Sequence, residues 1–169
     1  TTSASAVREF AMAELADRRV YFNFRNNDRG GYRLVSTSDD VTRSFGEAAM
    51  DRLLPEPICH AGLCAVPGDD GEPSDTLLFS NPAACNESGG YQTEARREMT
   101  VRVSVDGGRT WPHARRIWPG PAAYSDLAAG PAGEVHLLYE RGGDNLGDSY
   151  TRPYHQIACA RLTLDELGD

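Results

Sequence analysis

"SVDGGRTW", residues 104–111, follows directly on the alternating run "MTVRV" at 99–103 and decides how this chain is read. Asp106 can accept backbone amides ahead of it, Gly107 and Gly108 supply the positive φ angles of a tight reversal, and Trp111 can pack back beneath the loop. A strand that ends in this device turns and pairs with its own continuation. A degenerate second copy stands at 38–45, "SDDVTRSF", which keeps Ser38, Asp40, Ser44 and the aromatic Phe45 at the same offsets and loses the glycines. A repeated hairpin device implies a repeated sheet unit. Asp106 and Asp40 are read as turn residues, not catalytic ones.

Away from these turns, "RVYFNF", "TLLFSN", "MTVRVSV", "EVHLLYE" and "QIACARL" read as strands. The stretches "NNDRGGY", "PGDDGEPSD", "NPAACNESGG" and "RGGDNLGDS" read as the turns between them. Two stretches carry helical composition: "SASAVREFAMAELADRR" by its Ala, Glu and Leu content, and "GEAAMDRLLPEP", which is expected to make a turn or two before Pro55. The fold class is all-β.

The chain has 169 residues, of which 40% are hydrophobic and 25% charged, enough to bury one core. No apolar run approaches membrane-spanning length. It begins at Thr1 without a leader, so a targeting segment is expected to have been removed or to lie upstream. Net charge is −8, and all 17 basic residues are Arg. That balance argues against a nucleic-acid partner, which needs clustered positive charge. Any anion bound here meets planar guanidinium forks, which suit carboxylates.

The four cysteines, Cys59, Cys64, Cys85 and Cys159, form no C-x-x-C pair. His60 and His113 stand at no ligand spacing, so no metal or other cofactor is expected. A Cys59–Cys64 disulfide is conceivable across a short loop, but buried free thiols are the preferred reading.

The turn at 104–111 and its copy have the form of the Asp box, S-x-D-x-G-x-T-W, which marks blade hairpins in sialidases and several other propellers. The segments around them resemble the sialidase family in order. "ELADRRVYFNFRNNDRGGYR" resembles a strand ending in Asn-x-Arg. "LLPEPICHAGL" resembles its P-x-C-q-a-S segment, departing at His60 and Gly62. "LLFSNPA" and "RREMTVRVSVDGGRTWP" resemble its next strand, arginine and Asp box. "AAYSDLAAGPAGEVHLLYERG" resembles its tyrosine strand and the strand after it.

The resemblance implies site residues. The Asn-x-Arg arginine falls on Arg25, and the arginine before the Thr-Val-Arg strand on Arg96, with Arg97 as competitor. The nucleophilic tyrosine falls on Tyr124, its partner glutamate on Glu9, and the glutamate that steadies an arginine on Glu140. Arg102, Arg109, Arg115, Arg116 and Arg161 are expected to be surface arginines. Motif order also makes the segment around Glu9 a strand, against its helical propensity.

The implied chemistry accounts for these residue types. Sialic acid carries a carboxylate on the carbon that is attacked, so a charged carboxylate nucleophile would be repelled. Sialidases accordingly stand outside the two-carboxylate glycosidase scheme and use a tyrosine. Its hydroxyl, with an ordinary pKa of about 10, needs a base within hydrogen-bonding reach.

The family's first arginine and its acid Asp have no counterpart before Glu9. Its catalytic domains are six-bladed propellers, so residues 1–169 resemble the C-terminal half, roughly three blades, completed by upstream residues or a second chain. The expected function is that of an exo-α-sialidase acting on sialylated glycoconjugates with retention, the chain alone being inactive and an extracellular location preferred. The alternative is a non-catalytic sialic-acid-binding or scaffold propeller. Linkage preference, and hydrolysis against trans-sialidase action, rest with rim loops such as "RGGDNLGDSYTRPYH".

Overall fold

The structure, a computed structural model, describes residues 7–28, 30–43, 46–84, 96–143 and 152–168. Among these the chain is almost entirely antiparallel β. Strands β1 (Val7–Glu14), β2 (Val20–Asn26), β3 (Tyr32–Ser38) and β4 (Ala49–Pro55) form one four-stranded sheet in sequence order. Strands β5 (Gly62–Ala65), β6 (Leu77–Pro82), β7 (Arg97–Ser104), β8 (His113–Ala129), β9 (Glu134–Arg141) and β10 (Gln156–Thr163) follow in a second. The long β8 serves two blades: His113 to Pro121 pairs with β7, and Ala122 to Ala129 pairs with β9. The described residues thus form two four-stranded blades and three strands of a third, an all-β propeller arrangement. Its inner strands β1, β5 and the second half of β8 lie side by side.

The Asp box links β7 to β8. Ser104 Oγ accepts the Gly108 N–H at 2.9 Å and donates to Asp106 Oδ1 at 2.8 Å. Asp106 Oδ1 accepts the N–H groups of Arg109 at 3.1 Å and Thr110 at 2.9 Å. Gly107 and Gly108 have φ of 71° and 83°, and a Cβ on Gly108 would lie 2.5 Å from the Tyr21 ring. Trp111 is buried against Phe79, ring centroids 5.8 Å apart. In the second copy Asp40 Oδ1 accepts the Thr42 N–H at 2.9 Å, and Ser38 Oγ accepts that of Asp40 at 3.1 Å. Ser44 and Phe45 lie outside the described residues.

Alternation along β6 explains the core. Leu77 and Phe79 face the first blade, packing with Leu15, Tyr21, Leu54 and Leu63. Leu78 faces the third, packing with Val101, Val103, Leu127, Val135 and Leu137. A period of two in a strand buried on both faces gives this division directly.

The segment around Glu9 is strand β1, where Ala13 is buried while Met12 and Glu14 are exposed. Ladder pairing with β2 and burial against β5 outweigh a helical preference of a few tenths of a kcal/mol per residue. The expected helical turn in "GEAAMDRLLPEP" is corrected: Ala49–Pro55 is strand β4, paired with β3, with Leu54 fully buried. The only α-helix among the described residues is α1 (Leu164–Gly168), opened by a reciprocal capping box. There Glu166 N–H donates to Thr163 Oγ1 and Thr163 N–H to Glu166 Oε2.

Cys59, Cys64 and Cys159 are free thiols, so Cys59 and Cys64 are unpaired. Only Cys59 is buried, Cys64 is half-buried and Cys159 exposed, which corrects the expectation of buried thiols. Cys85 lies outside the described residues. Burial pushes the Cys59 and Cys64 thiols up to about 12. Arg102 is also corrected: it is half-buried, donating to Asn81 Oδ1 of the neighbouring strand at 3.2 Å, and burial lowers its pKa. Arg109, Arg115, Arg116 and Arg161 are exposed.

Candidate active site

Two irregularities in the ladders aim the central groups. Between Val7 and Phe10 the β1–β2 register shifts, and Glu9 sits in that interval. Between Ala122 and Ser125 the β8–β9 register shifts, and Tyr124 sits in that one. Bulges re-aim side chains that a regular pleat would send elsewhere. Glu9 and Tyr124, 115 residues apart, meet with Tyr124 Oη donating to Glu9 Oε1 at 3.4 Å. Arg25 on β2 closes the triangle: its Nη1 donates to Glu9 Oε2 at 2.6 Å and to Tyr124 Oη at 3.3 Å.

The electrostatics follow from this contact. Partial burial works to raise the Glu9 pKa, but the Arg25 hydrogen bond and charge, with smaller help from His60 and Tyr124, outweigh it and hold the carboxyl below its ordinary value. Burial works to lower the Arg25 pKa, and the Glu9 hydrogen bond and charge more than reverse that. Arg25 Nε is buried without a hydrogen-bond partner among the described residues.

Arg96 is buried beside the same tyrosine, its Cζ 5.7 Å from the Tyr124 ring centroid, whereas Arg97 is exposed. Its Nη2 donates to the Ile58 carbonyl at 2.5 Å and its Nη1 to Tyr154 Oη. Glu140 on β9 accepts the Tyr124 backbone N–H on Oε2 at 3.1 Å. Its carboxylate therefore fixes the tyrosine's own backbone. A cavity of about 230 Å³ opens here, lined by Tyr124, Glu140, Asp126, Leu138, Ile157 and His60 among others.

The loop from Glu56 to Ala61 brings His60 to the cavity. Ile58 adopts a left-handed φ of 54°, costly for a β-branched residue. A buried ion pair holds it: Arg33 contacts Glu56, Arg33 Nη1 donates to the Cys59 carbonyl at 2.8 Å, and Cys59 N–H donates to Glu56 Oε1 at 2.5 Å. So anchored, the loop presents His60 to Tyr124, ring centroids 5.6 Å apart.

Glu9, Arg25, Arg96 and Glu140 thus each contact Tyr124. Tyr154, bonded to Arg96, and His60, against Tyr124, adjoin this cluster, and sequence reasoning did not assign either. Tyr154 lies in an irregular loop where nothing distinguishes it from Tyr150. The signal for His60 was present, since it is one of two departures from an otherwise matching segment.

An antiparallel propeller with Asp-box blade hairpins is the class that this fold and its repeated turn define. The chain belongs to the BNR repeat-like domain family, whose model matches residues 2–137, and it is part of a sialidase-type propeller. It is 41% identical over 158 residues to a sialidase of Micromonospora viridifaciens, covering 92% of this chain and 23% of the relative. To a sialidase of Bacteroides fragilis it is 35% identical over 137 residues, covering 78% and 24%. The chain therefore spans about a quarter of the length of these curated relatives. Among solved structures, Hadza microbial sialidase Hz136 superposes with a TM-score of 0.72 at 31% identity, covering 96% of this chain and 28% of that one. The intramolecular trans-sialidase from Ruminococcus gnavus superposes at 0.67 with 22% identity, covering 98% and 34%, a likeness of fold.

Proposed function

We propose that the protein carrying this chain is a retaining exo-α-sialidase, and that residues 1–169 supply the second half of its catalytic propeller. The observation that carries this reading is the Glu9–Tyr124–Arg25 triangle, with Glu9 and Tyr124 at bulges of two inner strands. Tyr124 Oη attacks the anomeric carbon as Glu9 takes the phenolic proton, and the glycosidic C–O bond breaks. Water then displaces Tyr124 from the glycosyl intermediate, and two displacements retain configuration. Arg25 and Arg96 offer N–H groups to the substrate carboxylate, the charge a neutral phenol tolerates and an anionic nucleophile does not. Glu140, by fixing the Tyr124 amide, keeps the phenol in line, in addition to the arginine-steadying role that the family resemblance implies.

The acid that protonates the leaving oxygen, and a third arginine, come from the remainder of the propeller. Tyr124→Phe in the complete protein tests the assignment with an aryl sialoside. We expect turnover to fall by about a thousandfold or more, since the covalent step is lost while the fold is kept. Undiminished turnover would exclude Tyr124 as nucleophile. A complete protein that binds sialosides and turns none over would be a binding propeller instead.

A further inference from the structure

We propose that His60 is a positioning residue of this site: its imidazole props the Tyr124 ring, whose hydroxyl meets Glu9. The inference rests on the sialidase reading above and adds to it a group that the family resemblance leaves unassigned.

Three observations converge. The imidazole and phenol rings lie 5.6 Å apart, tilted by 57°, the edge-to-face range in which aromatic pairs attract. His60 shares the wall of the cavity with Tyr124 and Glu140, and its charge acts on Glu9. Its loop is held rigid by the buried Arg33–Glu56 pair, by the Cys59 backbone bonds, and by Arg96 on the Ile58 carbonyl. A side chain on so constrained a backbone loses little further freedom in holding one orientation.

Tyr124 and Asp126 of β8 and Glu140 of β9 share the cavity wall with His60, while Glu9 of β1, Arg25 of β2 and Arg96 just before β7 each contact the same tyrosine. Within the His60 loop, Glu56 is turned to Arg33. Protonated His60 favours the ionised form of Glu9, the form that can accept the tyrosine proton. An amide at this position would keep polarity and lose both ring and charge.

The test on the complete protein is the pH profile of kcat/KM for an aryl sialoside in wild type, His60→Gln and His60→Phe. The acid limb is expected to move to higher pH in both variants, by a few tenths to about one pH unit, the scale of one partly solvated charge. His60→Phe, which keeps a ring against Tyr124, is expected to hold more of the plateau rate than His60→Gln. Acid limbs that coincide in all three proteins overturn the inference, while turnover by wild type and its loss in Tyr124→Phe leave the sialidase reading standing.

Discussion

Asp106 shows how much one side chain can organise when it is the acceptor for a whole turn. Its two oxygens take the Arg109 and Thr110 amides, the Ser104 hydroxyl and, at 2.7 Å, the Thr110 hydroxyl. Burial works to raise its pKa, and these hydrogen bonds together hold the carboxyl below its ordinary value. A carboxyl held low when folded adds stability above its unfolded pKa, and that stability is lost as pH falls through the folded value. Asp106→Ala should therefore lower stability by about 1–3 kcal/mol at neutral pH, through the orphaned amides. Urea denaturation at pH 7 and again near pH 3 should find the gap between wild type and variant narrowed at the lower pH. A gap equal at both would mean that the charge takes no part in the turn.

At the scale of strands, the site depends on how closely inner strands approach. A Cβ on Gly62 of β5 would lie 2.7 Å from Ser80 Oγ and 2.9 Å from the Asp126 Cα of β8. Beside it Ser80 Oγ and Ser125 Oγ are hydrogen-bonded at 2.9 Å, one residue from Tyr124. Gly62 is here a close-approach residue, where the resembled family segment has Ser. Gly62→Ser should push β5 away from β8 and lower stability by about 1–3 kcal/mol, the ordinary cost of overpacking. Thermal denaturation measures this, and an unchanged midpoint would show that the two strands can part freely. The displaced backbone also bears Tyr124, so the variant should lose activity beyond its loss of stability.

Over the whole molecule, the two outermost faces carry apolar side chains that the described residues leave uncovered. On β1 these are Phe10 and Met12, exposed to 52% and 59%; on β9 and β10 they are Leu138 and Ile157, exposed to 51% and 73%. Apolar surface of this kind at the two ends of a blade series is where further blades pack in a propeller. We expect the 169-residue chain alone to bind a hydrophobic dye such as ANS and to turn over no aryl sialoside. The complete protein should bind little dye and be active. Robust turnover by the isolated chain would refute the proposal that an acid and an arginine are supplied from outside it.

Local pattern made much of this legible. The Asp box specified its own hairpin, because its hydrogen bonds run between residues at most four apart, and period-two runs such as "TLLFSN" located buried strands. Motif order brought Glu9, Arg25, Arg96, Tyr124 and Glu140 onto one list. "GEAAMDRLLPEP" has room for a helical turn in its composition yet forms strand β4, because its strand form depends on pairing with β3, a partner no local propensity contains. The half-burial of Arg102 and the exposure of Cys159 were likewise set by which blade face each side chain meets. The tertiary structure alone decided that two bulges would aim Glu9 and Tyr124 at each other across 115 residues, and that a buried ion pair would hold His60 against the phenol. Sequence thus determined the repeating unit, whose hydrogen bonds close over a few residues. The cleft is made of contacts between blades, whose distances arise only when separate strands pack.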